Sequence, residues 1–162
     1  MSTLTYIGLG SNLGESQHIL AEAYQKLATL GFVKASKLYH SPPMGPQDQP
    51  HYHNAVVALQ TDLAALDLLD RLQQFEQESG RVRLRHWGER TLDLDLLLYG
   101  NEQIQHERLT VPHMGVLERD FVLLPLLDLD LNLQINGLKI KDTDVVKQSE
   151  LTVLADESWV NI

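Results

Sequence analysis

The residues best suited to chemistry lie between positions 81 and 95. Arginine occupies four of the ten positions 81–90, and Asp93 and Asp95 follow within a Leu-Asp-Leu-Asp-Leu pattern that is typical of a half-buried strand. Side chains two apart on a strand share a face, so the two carboxylates would stand side by side, with Cα atoms about 6–7 Å apart. A hard cation such as Mg²⁺ relieves their repulsion, and guanidinium groups bind phosphate oxygens. This combination predicts a site for a metal-bound polyphosphate.

An isolated Asp-x-Asp sequence more often marks the solvated face of an edge strand than a metal site. Here the clustered arginines, with Trp87-Gly88 among them, favour the metal site. A second such sequence, Asp128-Leu129-Asp130, has no basic neighbours and follows a proline. We therefore interpret this second sequence as a solvated surface.

Length and composition restrict the class of protein. The 162 residues fit one domain, 1–162, with 43% hydrophobic and 22% charged residues. There is no cysteine for a disulfide or a thiolate metal site. A net charge of −9 argues against nucleic acid as a partner. The sequence shows neither a signal-peptide pattern nor an apolar run long enough to span a membrane. We expect a cytoplasmic monomer whose partners are small molecules.

Hydrophobic periodicity predicts the elements that must position these side chains. Strands are predicted at residues 3–10, 32–39, 53–61 and 92–98, and amphipathic helices at 16–30 and 63–79, the second capped by Asp62. The order βαββαβ is the ferredoxin-like arrangement, an antiparallel sheet with both helices on one face. We predict an α+β fold with this core and a C-terminal elaboration. In the elaboration, residues 108–113 read as a polar loop, residues 116–127 as a helix up to Pro125, and residues 137–162 carry no recognisable site.

Two further loops allow alternative interpretations. The glycines of the segment 8–14 have the spacing Gly-x-Gly-x-x-x-Gly. This spacing differs from the dinucleotide-binding pattern, and a tight turn from strand to helix explains it at least as well. Residues 41–50 contain four prolines, which make a stiff, irregular loop. That loop is either a rigid connector or a preformed wall for a flat ligand, and the sequence leaves both possibilities open.

Five segments resemble one known family, and they occur in the same order along the chain. The segments are Gly10-Ser11-Asn12-Leu13, Ser41-Pro42-Pro43-Met44-Gly45-Pro46-Gln47, Tyr52-His53-Asn54-Ala55, residues 81–95 with Arg90-Thr91-Leu92-Asp93-Leu94-Asp95, and Arg108-Leu109-Thr110-Val111-Pro112-His113. The family is 6-hydroxymethyl-7,8-dihydropterin pyrophosphokinase of the folate pathway, and the resemblance covers about residues 3–127. It implies transfer of pyrophosphate from the co-substrate ATP to the pterin hydroxymethyl group, with release of AMP and with two Mg²⁺ ions.

The resemblance also implies roles for individual residues. Asp93 and Asp95 match the ligands of the two Mg²⁺ ions, and Arg81, Arg90 and Asp95 match catalytic positions. Positions that match the binding of ATP are Gln73, Glu76, Arg83, Arg85, Leu96, Arg108, Thr110, His113 and Arg119. Positions that match the binding of the pterin are Gly10, Ser41, Pro42, Met44, Tyr52, Asn54, Trp87 and Phe121. The loop 84–86 is one residue shorter than is usual in the family, so Arg85 is assigned to its basic position, and Met114 replaces a common aromatic residue.

Two other classes of protein remain as alternatives. A non-catalytic nucleotide or metabolite sensor with a ferredoxin-like fold would keep the binding residues without forming AMP. A metal-dependent nuclease or hydrolase would also use an acid pair, but the net charge of −9 disfavours it. For the transferase, the general base stays open between metal activation of the hydroxymethyl oxygen and proton loss to Asp95 or to solvent.

Overall fold

The computed structural model describes residues 2–12, 15–41, 51–79 and 92–161. The strands are β1 (Thr3–Ser11), β2 (Gly31–Ala35), β3 (Leu38–Ser41), β4 (Tyr52–Thr61), β5 (Asp93–Tyr99), β6 (Ile104–His106), β7 (Leu109–Val111), β8 (Gln134–Ile135), β9 (Leu138–Lys139) and β10 (Thr152–Ala155). The α-helices are α1 (Ser16–Leu27), α2 (Ala65–Glu78), α3 (Asp120–Leu129) and α4 (Asp144–Lys147). Short 3₁₀ helices lie at Val116–Glu118, Ile140–Asp142 and Glu157–Val160. None of the helices in these ranges has the length and apolar character needed to cross a membrane.

The main sheet has the strand order β10-β3-β4-β1-β5, with β2 pairing to β4 beside β3. Every pairing within this sheet is antiparallel. The neighbouring strands β1 and β4 are each followed by a helix that returns across the same face of the sheet. The order of β5, β1, β4 and the β2–β3 pair is that of a ferredoxin-like sheet. The predicted α+β class with a βαββαβ core is therefore confirmed.

The strand predicted at residues 32–39 is two strands separated by Ser36 and Lys37. Both strands pair with β4, β2 along its second half and β3 along its first. At the break, the Ser36 backbone N donates to the Val56 carbonyl at 2.9 Å. The Val56 N donates to the Ser36 Oγ, also at 2.9 Å. Because the hydroxyl takes the place of a backbone acceptor, the strand can bend without leaving β4 unpaired.

The two faces of the sheet carry separate cores. Helices α1 and α2 cover one face, where Leu20, Leu27, Leu72 and Phe75 pack with strand residues such as Val57. Helix α3 packs against the other face. This arrangement confirms that the first two helices share one face, as the βαββαβ order predicts. The cap predicted from Asp62 is wrong, because α2 begins two residues later and its N-cap residue is Ala64, without a side-chain cap.

Helix α3 differs from its prediction. It continues to Leu129 with Pro125 inside it rather than ending at this proline. Pro125 is one of the buried residues of this helix, so packing compensates for the hydrogen bond that a proline cannot donate. Asp128, predicted to be solvated, is exposed, but its Oδ2 also accepts from the Tyr39 hydroxyl at 2.7 Å and from the Lys37 N at 3.2 Å. Asp128 therefore also joins α3 to β3.

The C-terminal segment has a structural role that the sequence did not indicate. Strand β10 pairs with β3 and extends the sheet. Trp159 is 1% exposed and belongs to the core under α1. Its ring meets that of Tyr24 edge-on at 6.2 Å, and its Nε1 donates to the Ser36 carbonyl at 2.8 Å.

The prediction of a polar loop at residues 108–113 is partly wrong, because Leu109–Val111 forms β7 and buries its two aliphatic ends.

Candidate active site

Strand register places three predicted site residues in one row. Gly10 of β1 lies opposite Asn54 of β4 on one side and opposite Asp93 of β5 on the other. Two residues back along β1, Gly8 lies opposite Asp95. Because side chains alternate between faces, Asn54, Asp93 and Asp95 project from the face that carries α3, opposite α1 and α2. An amide and two carboxylates therefore share one end of this face.

The glycine at position 10 lets neighbouring side chains lie over β1. A Cβ added there would be 3.4 Å from the Asn54 Oδ1 and 3.8 Å from the Tyr52 Cδ1. Asn54 is 5% exposed, and its Nδ2 donates to the Ser41 Oγ at 2.8 Å. Ser41 lies opposite Tyr52 in the pairing of β3 with β4. The structure thus brings together four of the residues predicted to bind a pterin, around an amide that suits the hydrogen-bonding edge of a flat heteroaromatic ring.

Asp93 and Asp95 are half-buried at the start of β5. Between them, the Leu94 backbone N donates to the Glu76 Oε2 at 2.8 Å. This hydrogen bond links α2 to the strand segment that carries both aspartates. A side chain predicted to bind nucleotide therefore also fixes the position of the acid pair.

The donor set of this site fits magnesium that arrives with a phosphate ligand. In the described part of the chain, no group of three or more histidine, aspartate or glutamate side chains is arranged to hold a metal. Mg²⁺ commonly uses one or two carboxylates and takes its other ligands from substrate phosphates and water. Two aspartates on one strand face match that pattern and do not match a site made of protein ligands alone.

Predicted nucleotide-binding residues meet where α2 faces the β6–β7 hairpin. The Arg108 Nη2 donates to the Gln73 Oε1 at 3.2 Å and to the Asp70 Oδ1 at 2.5 Å. Asp70 was not among the predicted residues. Its signal was available in the sequence, because residues 70, 73 and 76 are spaced to lie along one side of a helix. The structure therefore joins Gln73 and Arg108 directly and adds a carboxylate to them.

The segment after β7 carries three more of the predicted residues. The His113 backbone N donates to the Leu97 carbonyl at 3.0 Å, which attaches the segment to β5, and its Nδ1 accepts from the Gly115 N at 3.3 Å. The Arg119 guanidinium lies 5.8 Å from the centre of the Phe121 ring. Arg119 also packs so closely on Gly115 that an added Cβ would lie 2.7 Å from its Nε. The pair of Arg119 and Phe121 therefore stands at the start of α3.

Thr110 and Leu96 are also predicted to bind the nucleotide. Thr110 is exposed on β7. Leu96 is 2% exposed and packs in the core beneath α1 and α2. Its side chain lies on the face opposite Asp95, because neighbouring strand positions face opposite ways, and the role of Leu96 in the nucleotide site stays a prediction. Any contact from Leu96 must come from its backbone.

Several predicted residues lie outside the described residues. They are Arg81, Arg83, Arg85, Trp87 and Arg90 of the arginine segment, and Pro42 and Met44 of the proline-rich segment. The catalytic and binding roles assigned to them stay predictions.

Three histidines, which sequence reasoning did not select, adjoin the pterin-binding candidates. His40 lies opposite His53 in the β3–β4 pairing, and the rings of His40 and His51 stack at 5.9 Å. The His53 Nδ1 is buried and has no hydrogen-bond partner in the part of the chain that the structure describes. Burial lowers the pKa of His53, and the charges of His40 and His51 lower it further. Protonation of His53 is therefore disfavoured.

Comparison with known proteins bears on the family to which the chain belongs. The model of the 7,8-dihydro-6-hydroxymethylpterin-pyrophosphokinase (HPPK) family matches residues 6–131. The chain belongs to this family. It is 52% identical over 146 residues to the 2-amino-4-hydroxy-6-hydroxymethyldihydropteridine pyrophosphokinase of Haemophilus influenzae, covering 88% of this chain and 91% of that protein. It is 50% identical over 127 residues to the enzyme of the same name from Pseudomonas aeruginosa, covering 76% and 78%. The family resemblance read from the motifs is confirmed.

A solved structure extends the agreement to the fold. The Plasmodium falciparum HPPK-DHPS with pterin and p-hydroxybenzoate superposes with a TM-score of 0.68 at 16% sequence identity. The match covers 87% of this chain and 42% of that one, so the HPPK chain spans less than half of the solved protein. At this identity the likeness supports the fold and carries no residue assignments.

Proposed function

We propose that this HPPK transfers pyrophosphate from ATP to the hydroxymethyl group of 6-hydroxymethyl-7,8-dihydropterin and releases AMP, a step in folate biosynthesis. Membership of the family supports the reaction. The observation that carries the proposal in the structure is the row of Asn54, Gly10 and Asp93 across three strands. This row sets an amide suited to a pterin beside a carboxylate suited to a magnesium nucleotide, so donor and acceptor would meet on one face. The non-catalytic sensor is not favoured.

We infer that Asp93 and Asp95 hold the two Mg²⁺ ions that accompany ATP. When bound, Mg²⁺ neutralises charge on the triphosphate and so stabilises the transferring group. The role of the protein's own residues is to orient the two substrates. Glu76 fixes the backbone between the two aspartates, and Asn54 aligns the pterin ring. Since phosphoryl-type transfer depends mostly on position and electrostatics, alignment of the two substrates would supply much of the rate.

The nucleotide would extend from the acid pair toward the β6–β7 hairpin. Gln73 and Arg108, joined at 3.2 Å, lie on that side. Arginine binds phosphate through several parallel N–H donors, which suits Arg108 to this role. We further propose that the protein acts in the cytoplasm, where ATP is available, and binds no macromolecule for this reaction.

The decisive experiment is to incubate the protein with Mg²⁺, ATP and 6-hydroxymethyl-7,8-dihydropterin and to measure AMP and pterin diphosphate by chromatography. The proposal requires AMP and pterin diphosphate in equal amounts, and it requires that both depend on the pterin. Nucleotide binding without AMP would indicate a sensor, and AMP formed without the pterin would indicate a hydrolase. Either result would refute the proposed function.

A further inference from the structure

The turn between β6 and β7 is built to present Arg108. His106 and Leu109 are paired, so the turn has two residues, and Arg108 is the second. The Arg108 backbone N donates to the His106 Nδ1 at 3.1 Å, which fixes the turn. Leu109 and Val111 of β7 are buried in the core under α2. The base of the hairpin is therefore anchored in the core, and its tip reaches the exposed side of α2.

Among the described residues, the side-chain contacts of the Arg108 guanidinium use one of its nitrogens. Nη2 donates to the Asp70 Oδ1 and to the Gln73 Oε1, and both acceptors belong to α2, three residues apart. A guanidinium has five N–H donors in a fixed planar fork. Holding one nitrogen from the side defines the orientation of the fork, and within the described ranges Nη1 and Nε keep their donors for a ligand.

A purely stabilising role does not account for this arrangement. The Asp70 and Arg108 side chains are 56% and 43% exposed, and ion pairs at such positions add little to folding stability. A carboxylate directly on a triphosphate would repel it, so Asp70 is not suited to touch the nucleotide itself. Because Asp70 is paired with Arg108, the negative charge of Asp70 is offset. Its remaining effect is to set the direction of the guanidinium.

We propose that Asp70 is a positioning residue for the nucleotide: it holds the Arg108 guanidinium so that its remaining donors face the phosphates. This inference rests on the proposed function, because Arg108 meets ATP only there. The loss of Asp70 frees a long side chain that must then be ordered again on binding. We expect the KM for ATP to rise about two- to fivefold, with kcat and the KM for the pterin unchanged.

The test compares Asp70→Asn, Asp70→Glu, Arg108→Ala and the double variant Asp70→Asn/Arg108→Ala. Asp67→Asn is the matched control, since Asp67 is exposed on the same helix and the change removes the same charge. Each variant is assayed for kcat and both KM values, for calorimetric binding of a non-hydrolysable ATP analogue with Mg²⁺, and for Tm. The inference requires weaker nucleotide binding in Asp70→Asn, partial recovery in Asp70→Glu, no change in the control, and no further effect of Asp70→Asn once Arg108 is absent.

Other outcomes distinguish a failure of the inference about Asp70 from a failure of the role proposed for Arg108. If Arg108→Ala weakens nucleotide binding and Asp70→Asn leaves it unchanged or tighter, the positioning role of Asp70 is refuted while Arg108 keeps its role. A fall in Tm together with higher KM values for both substrates would mean that Asp70 is structural, which also overturns the inference. If Arg108→Ala leaves nucleotide binding and the kinetic constants unchanged, the role of Arg108 in the proposed function is refuted, and the inference about Asp70 is refuted as well.

Discussion

Substitution of Trp159 tests whether the C-terminal segment belongs to the core. The family model ends at residue 131, whereas Trp159 is 1% exposed and its Nε1 donates to the Ser36 carbonyl at 2.8 Å. Trp159→Ala removes a fully buried aromatic side chain, which costs about 3–5 kcal/mol of unfolding free energy. Trp159→Phe keeps most of the apolar area but leaves the Ser36 carbonyl without its donor, which costs about 1–3 kcal/mol.

The assay is urea unfolding followed by far-ultraviolet circular dichroism, which does not depend on the tryptophan that is removed. Leu154→Ala is the control, because Leu154 is 45% exposed on β10, and a loss within about 0.5 kcal/mol is expected. The site face lies opposite the core that holds Trp159, so kcat measured on the folded fraction should be retained. If Trp159→Ala costs less than about 1 kcal/mol, the segment is not part of the cooperative core.

Three further predictions concern the site. Asp95→Asn should lower turnover about 10³-fold in the AMP assay, because the carboxylate would hold ions that act in the transition state; near-normal turnover would remove the metal assignment. Asn54→Leu should raise the KM for the pterin about tenfold or more and leave analogue binding without pterin unchanged, since the groups that lose a partner, the pterin amide edge and the Ser41 Oγ, both belong to the predicted pterin site; equal losses for both substrates would refute this. The lowered pKa of His53 means that the unfolded chain takes up a proton more readily than the folded one. Stability should therefore be full above about pH 6.5 and decline as the pH falls through 6.5 toward the folded-state pKa, and His53→Leu should flatten that decline in thermal unfolding curves.

The local patterns of the chain predict much of the architecture without reference to any tertiary contact. Alternation and 3.6-residue periodicity are properties of neighbouring residues, so the positions of β1, α1, β4, α2 and β5 could be read within a few residues. The same alternation put Asp93 and Asp95 on one face, which is a consequence of the strand alone. The predicted ends of the helices and strands were less accurate. Whether a strand is interrupted at Ser36, or a helix continues past Pro125, depends on partners such as Val56 and on the packing of a distant sheet.

The sequence by itself determined the α+β class, the acid pair and, through its motifs, the family. Only the tertiary structure decided that Asn54 and Asp93, thirty-nine positions apart, flank the same glycine, that Asp70 holds Arg108, and that Trp159 completes the core. The physical reason is that periodicity records which face of its own element a residue occupies. Periodicity contains no information on the register between strands or on which helix contacts which hairpin. Both depend on contacts between residues far apart in the sequence, which form only when long loops close and the whole sheet packs.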